Sequence, residues 1–164
     1  MILRSIAFAG GLAGAATTAQ FPEFSQQYQQ RLGGAVDALG EVVADFDASA
    51  AASDLSRADA LAQMQGTPFL ERRGQDMARS ITRYERLSAD LQRLEGQGPF
   101  MRAYHVGSFT DTEIAQAAWA AYQPAVPVTF AGLSFAGIGF VLGSLAVSLA
   151  AGLLRLPFRR RQRA

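Results

Sequence analysis

His105 is the only histidine in this 164-residue chain, and cysteine and lysine are absent. A metal site built on imidazole or thiolate would have one ligand at most, and no two imidazoles can divide acid and base work. Carboxylates remain, but the 14 acids are spread along helical faces beside arginines, the pattern of a solvated surface. The nearest approach to a serine-hydrolase nucleophile turn is Gly132, Leu133, Ser134, Phe135, Ala136, Gly137, where the second glycine comes one residue too late. That turn also needs a strand before it, and this run lies inside a long apolar stretch. Gly137, Gly139 and Gly143 have the wrong spacing for a dinucleotide loop, and a Walker-type phosphate loop cannot exist without lysine. His105 reads as a loop residue beside Tyr104. These residues predict no catalytic centre, no metal and no cofactor.

The elements around them are defined by charge. Every acid lies between Glu23 and Glu113, and that segment carries 9 arginines, a balance of 9 − 14 = −5. Arg4 with Arg155, Arg159, Arg160, Arg161 and Arg163 gives +6 at the two ends. From Val128 to Leu154 no residue is charged, which is enough for the roughly 20 residues that cross a hydrocarbon core, with some left for tilt. Pro124 and Pro127 stand before this run, where they end any preceding helix without removing hydrogen bonds inside the bilayer. Trp119 and Tyr122 fall at interface depth upstream of the run, and Arg155, Arg159, Arg160 and Arg161 follow it. By the positive-inside rule the C-terminus is cytoplasmic.

The stretch from Ile2 to Ala19 is built of alanine, glycine and larger apolar residues, with Arg4 near its start. It reads either as a second span or as a secretory signal peptide cleaved after Ala19, with Thr17 at the −3 position. Gly10 and Gly14 make a GxxxG step with Thr18 one step further, and Gly139 and Gly143 make another in the C-terminal run. Small faces of this kind let two membrane helices approach closely, so the two ends are predicted to pack on each other.

Between them, Phe24, Tyr28, Leu32, Ala35, Leu39, Val42 and Phe46 recur at four- and three-residue intervals. Leu70, Met77, Ile81, Tyr84, Leu87, Leu91 and Leu94 form a second stripe. Both suit a coiled-coil seam. From Glu23 to Asp59 there are seven acids and two arginines; from Leu70 to Arg102, seven arginines and five acids. An acidic helix antiparallel to a basic one is electrostatically matched. Helix starts are predicted at Ser56 with Asp59, at Thr67 with Pro68, and at Thr110 with Glu113, the last leading through Trp119 to Tyr122 near the membrane surface. Gly96 to Pro99 reads as a turn.

The run Phe21, Pro22, Glu23, Phe24, Ser25, Gln26, Gln27, Tyr28, Gln29, Gln30, Arg31, Leu32, Gly33, Gly34, Ala35, following a small-residue span, resembles a family of proteobacterial membrane proteins, domain of unknown function 2937. The similarity continues through Arg83, Tyr84, Glu85, Arg86 and Leu87 to the basic tail. The resemblance implies a two-spanning membrane protein with an extracytoplasmic helical segment, and carries over no catalytic residue.

The expectation is therefore an all-α membrane protein: two transmembrane helices flanking an extracytoplasmic antiparallel helical hairpin, coiled-coil-like. Residues 1–20 form the N-terminal span or signal peptide, 21–124 the helical domain, 125–158 the C-terminal span and 159–164 a basic cytoplasmic tail. The chain is expected in the bacterial inner membrane with its central domain periplasmic and its N-terminus cytoplasmic unless cleaved. Membrane lipids and a protein partner or second copy are the expected contacts, with neither nucleic acid nor a small-molecule substrate. The leading function is a non-enzymatic accessory or scaffold subunit, contacting its partner through the polar row Gln26, Gln27, Gln29, Gln30 and the small-residue spans. The alternative is a small oligomeric transporter or channel component.

Overall fold

The computed structural model describes residues 2–122 and 128–160, and the side chains of 155–160 lie outside that description. The described chain is helical, without strands: α1 (Ile2–Thr18), α2 (Phe21–Ala51), α3 (Arg57–Gln63), α4 (Pro68–Leu94), α5 (Pro99–Tyr104), a 3-10 turn (Val106–Ser108), α6 (Thr112–Ala121) and α7 (Phe130–Arg160). Two compact units emerge, one of Met1–Gln26 with Tyr122–Ala164, the other of Gln27–Ala121, so the division falls within α2. Pro124, Pro127 and Arg161, which figured in the sequence reading, lie outside the described residues.

In the first unit α1 packs along α7. Two helical stretches, Ile2–Ala51 and Phe130–Leu154, are long and apolar enough to cross a membrane, and only 11% of the apolar window near the N-terminus and 6% of that in α7 is buried. That low burial distinguishes them from core helices of a water-soluble domain. Ile2, Ile6, Phe8 and Leu12 point outward from α1; Leu133, Ile138, Val141, Leu145, Leu149 and Leu153 do so from α7. An apolar surface this continuous is of the kind that a hydrocarbon surround can cover. Thr129 caps α7, its hydroxyl accepting from Gly132 N at 3.1 Å. Within the helices, Thr17, Ser134 and Ser148 return their hydroxyl protons to carbonyls one turn back, so these three exposed hydroxyls are satisfied within their own helix.

In the second unit the core is built from Leu32, Val43 and Ala50 of α2, Ile81, Leu87 and Leu94 of α4, and Ile114 and Ala118 of α6, with Tyr28 at its polar edge. Leu32, Leu87 and Leu94 are fully buried, each stabilising by about 1.5–3 kcal/mol. The ring of Tyr84 lies over Gly40, where a Cβ would stand 3.2 Å from Tyr84 Cε2. Ser56 caps α3, its hydroxyl accepting from Asp59 N at 3.1 Å, and Thr67 caps α4, accepting from Leu70 N at 3.2 Å with Pro68 in the first turn.

Three expectations need correction. Val43 is buried and Val42 is 45% exposed, because Leu32, Val43 and Ala50 follow the 3.6-residue turn of a straight helix and not a strict heptad. The Thr110 cap does not form: Asp111 Oδ1 accepts from Ile114 N at 3.1 Å, while the Thr110 hydroxyl is taken by Asp90. The arginines of α4 pair with the start of α6 and with acids of α4 itself, Asp76 and Asp90, and not with the acids of α2. In α2, Asp47 instead holds Arg57 at the start of α3, and that guanidinium keeps the Asp47 carboxyl below its ordinary range.

Candidate functional site

Gly10 and Gly14 of α1 meet Gly139 and Gly143 of α7 along one contact line. A Cβ at Gly14 would strike the Gly139 carbonyl oxygen, and one at Gly139 would fall on Thr18 Oγ1 and 2.8 Å from Gly14 C. A Cβ at Gly143 would stand 3.1 Å from Gly10 C. Backbone thus rests on backbone at Gly14, Gly139 and Gly143, while a Cβ at Gly10 would meet the Val147 side chain. Gly11 is packed as tightly, with Phe140 ring atoms 2.7 Å from its Cβ position and Ser144 Oγ beside it, buried with no hydrogen-bond partner. Phe8 and Phe140 meet edge to face at 5.6 Å, and the rings of Phe21 and Phe135 are tilted by 37° at 5.4 Å. The Thr18 hydroxyl lies 2.7 Å from the Phe135 carbonyl oxygen and 2.9 Å from that of Gly14, sharing its proton between them. An open apolar groove of about 520 Å³ follows this line on the α1–α7 surface.

The second unit holds a polar cluster. Asp111, 5% exposed, accepts from Arg83 at 3.1 Å and Arg86 at 3.2 Å besides capping α6. Its backbone N–H donates to the Tyr28 hydroxyl at 3.4 Å. Tyr28 stacks on Phe109 at 4.4 Å, and burial raises its pKa above the ordinary phenol value. Asp90, 2% exposed, accepts from Thr110 at 2.6 Å and from Arg93 at 3.1 Å. Arg83 also reaches the exposed Glu113 at 2.9 Å. An open cleft of about 250 Å³ lies over Arg83, Arg86 and residues Thr110 to Glu113. Three carboxylates face three guanidinium groups, and both buried acids have their oxygens engaged. Such a cluster clasps α4 to the start of α6. Among the described residues no group of three or more His, Asp or Glu is placed to hold a metal ion.

The model of the family described as Protein of unknown function (DUF2937) matches residues 2–160. This chain belongs to the DUF2937 family. No curated protein and no solved structure matches it.

In this DUF2937 protein the remaining residues singled out from sequence are scattered. Trp119 projects from α6, 67% exposed. The Tyr122 hydroxyl donates to Gln20 Oε1, and its ring meets Phe24 edge to face at 6.4 Å. The side chains of Arg155, Arg159 and Arg160 lie outside the description, as does Arg161. Gln29 is half-buried, accepting from Arg102 at 3.3 Å, so the glutamine row is not uniformly open. His105 follows α5, its ring edge-on to Tyr104 at 5.1 Å. Sequence reading missed Asp90, Asp111 and Arg102. Asp90 carried a usable signal, since it lies three residues after Leu87 and four before Leu94, in the register of the buried face.

Proposed function

We propose that this DUF2937 protein is a non-enzymatic inner-membrane subunit that crosses the bilayer twice and holds a helical unit in the periplasm as a docking element for another membrane or envelope protein. The observation that carries the reading is the α1–α7 contact, in which four glycines bring backbones together while large apolar side chains face outward. Packing of that kind is how helices associate in lipid, where burial of apolar surface gives no drive. It also favours a retained span at the N-terminus over a cleaved signal, which would have no use for a matched face 130 residues away. The arginines clustered from Arg155 to Arg163, after the uncharged run, and Arg4 near the start of α1 support cytoplasmic ends. The central unit is read as an antiparallel α2–α4 hairpin, supported by the Gly40–Tyr84 contact and by the salt bridge from Arg57 to Glu85 at 3.6 Å. Closed ion pairs around Asp90 and Asp111 support a recognition or scaffold role over catalysis.

The test is a set of reporter fusions in the full chain. Alkaline phosphatase inserted between Ala52 and Leu55 is expected to be active, and green fluorescent protein at the C-terminus to fluoresce. Inactive phosphatase at that position with the chain in the membrane fraction refutes the topology. Chemical cross-linking in intact cells, followed by purification in detergent, tests the docking role. A chain recovered only as a free monomer defeats it.

A further inference from the structure

From Gly96 to Thr110 the chain runs 15 residues with one formal charge, Arg102, and that charge is turned inward. Arg102 is 7% exposed and donates to Gln29, while Phe100, Met101, Tyr104 and Val106 are 45%, 46%, 78% and 60% exposed. On α5, Phe100 and Tyr104 are four residues apart and Met101 and Tyr104 three, so they share the face opposite Arg102. The ordering is the reverse of a helix facing water, where the cation would be outside and the aromatic rings inside.

We infer that the α5 face and the 3-10 turn after it form a lipid-interface foot, seated in the headgroup and upper acyl region of a bilayer. The inference rests on the membrane reading above and extends it to a surface outside the spans. Three observations favour lipid over a protein partner. The segment is tethered close to the spans along the chain: α6 leads from Asp111 past the exposed Trp119, and eight residues separate Ala121 from Phe130. On the other side Arg102 binds Gln29, which follows Thr18, the last residue of α1, by 11 positions. The patch is also small. Four half-exposed side chains fall well short of the roughly 800 Å² that each partner gives to a stable protein contact. Finally, the residue types suit an interface between water and hydrocarbon: Phe, Met and Val for the apolar side, with the Tyr104 hydroxyl and His105 imidazole for the wet side.

The test uses the full chain in phosphatidylcholine and phosphatidylglycerol vesicles carrying brominated acyl chains. Trp119 is the sole tryptophan, so Trp119→Phe gives a dark background for single reporters at Tyr104→Trp and, as a span control, Leu149→Trp. Val106→Trp serves as a second foot reporter, and each variant must keep the parent's helical circular dichroism. A foot in lipid gives loss of Tyr104→Trp and Val106→Trp emission approaching that of the span control, with protection from aqueous acrylamide. Span quenching without foot quenching, the foot reporters open to acrylamide, overturns the inference and leaves the membrane reading standing. Foot reporters shielded from both quenchers mean a protein covers the face, which also overturns it. Failure of the span control to quench overturns the membrane reading and the foot with it.

Discussion

The Thr18 hydroxyl lies 2.7 Å from the carbonyl oxygen of Phe135, joining two residues 117 positions apart at the place where Gly139 leaves room for the threonine. This bond fixes where along α7 the first helix stops. Thr18→Val keeps the shape and removes the donor, and is expected to weaken the α1–α7 contact by about 0.5–1.5 kcal/mol. Thr18→Ser should retain most of it. Chemical unfolding in detergent, read by far-ultraviolet circular dichroism, checks both.

Gly14→Leu and Gly139→Leu each drive a side chain into a backbone carbonyl, with no flexible neighbour to yield. Each should destabilise the pair by about 1–3 kcal/mol or push the helices apart. Since the chain has no native cysteine, Phe8→Cys with Phe140→Cys provides a clean gauge, the parent rings being 5.6 Å apart. Oxidative cross-linking of this pair should be efficient with the glycines intact and fall several-fold with either leucine. Undiminished cross-linking would remove the close-contact role.

Asp111 caps α6 and receives two guanidinium groups. Asp111→Ala is expected to cost about 2–3 kcal/mol, combining a lost cap with a cluster stripped of its central anion. Asp111→Asn restores the cap and should recover about 1 kcal/mol of that. Glu113→Gln should change stability by less than about 0.5 kcal/mol, because its partner Arg83 and Glu113 itself both face water. Thermal denaturation in detergent ranks the three.

Burial raises the Tyr28 pKa above the ordinary phenol value of 10.0, so the folded chain keeps this proton more tightly than the unfolded one. Its contribution is complete below pH 10.0 and drains away as pH rises from there through the folded value. Helicity of the second unit should therefore fall in alkaline solution above that point. Tyr28→Phe should flatten the alkaline slope while costing some stability at neutral pH, where the hydroxyl accepts from Asp111 N. An unchanged slope in Tyr28→Phe would assign the alkaline loss to another group.

The two apolar helices and most helix starts were legible because they rest on local chemistry: an uncharged run up to Leu154, the hydroxyls of Ser56 and Thr67, and Pro68 in a first turn. The facing glycines were legible as two separate steps, since a GxxxG repeat carries its own period. Long-range choices were not. Thr110 and Asp111 are adjacent and both suit a cap; what decides between them is Asp90, which takes the Thr110 hydroxyl from 20 residues away. Charge totals suggested that the arginines of α4 face the acids of α2, but a total has no direction, and Arg83 and Arg86 turn toward α6. Val42 and Val43 are equivalent in composition, and only the true pitch of the helix separates them. Arg102 shows the same limit: nothing near it in sequence marks an arginine that will turn inward.

The matched glycines also impose an order on biogenesis. Gly14 is synthesised 125 residues before Gly139, its counterpart, and ribosomes add about 5–20 residues per second. For roughly 6–25 seconds the newborn first helix has its smooth side unoccupied. Whatever surrounds the nascent chain must shelter that side, then surrender it when the last helix arrives.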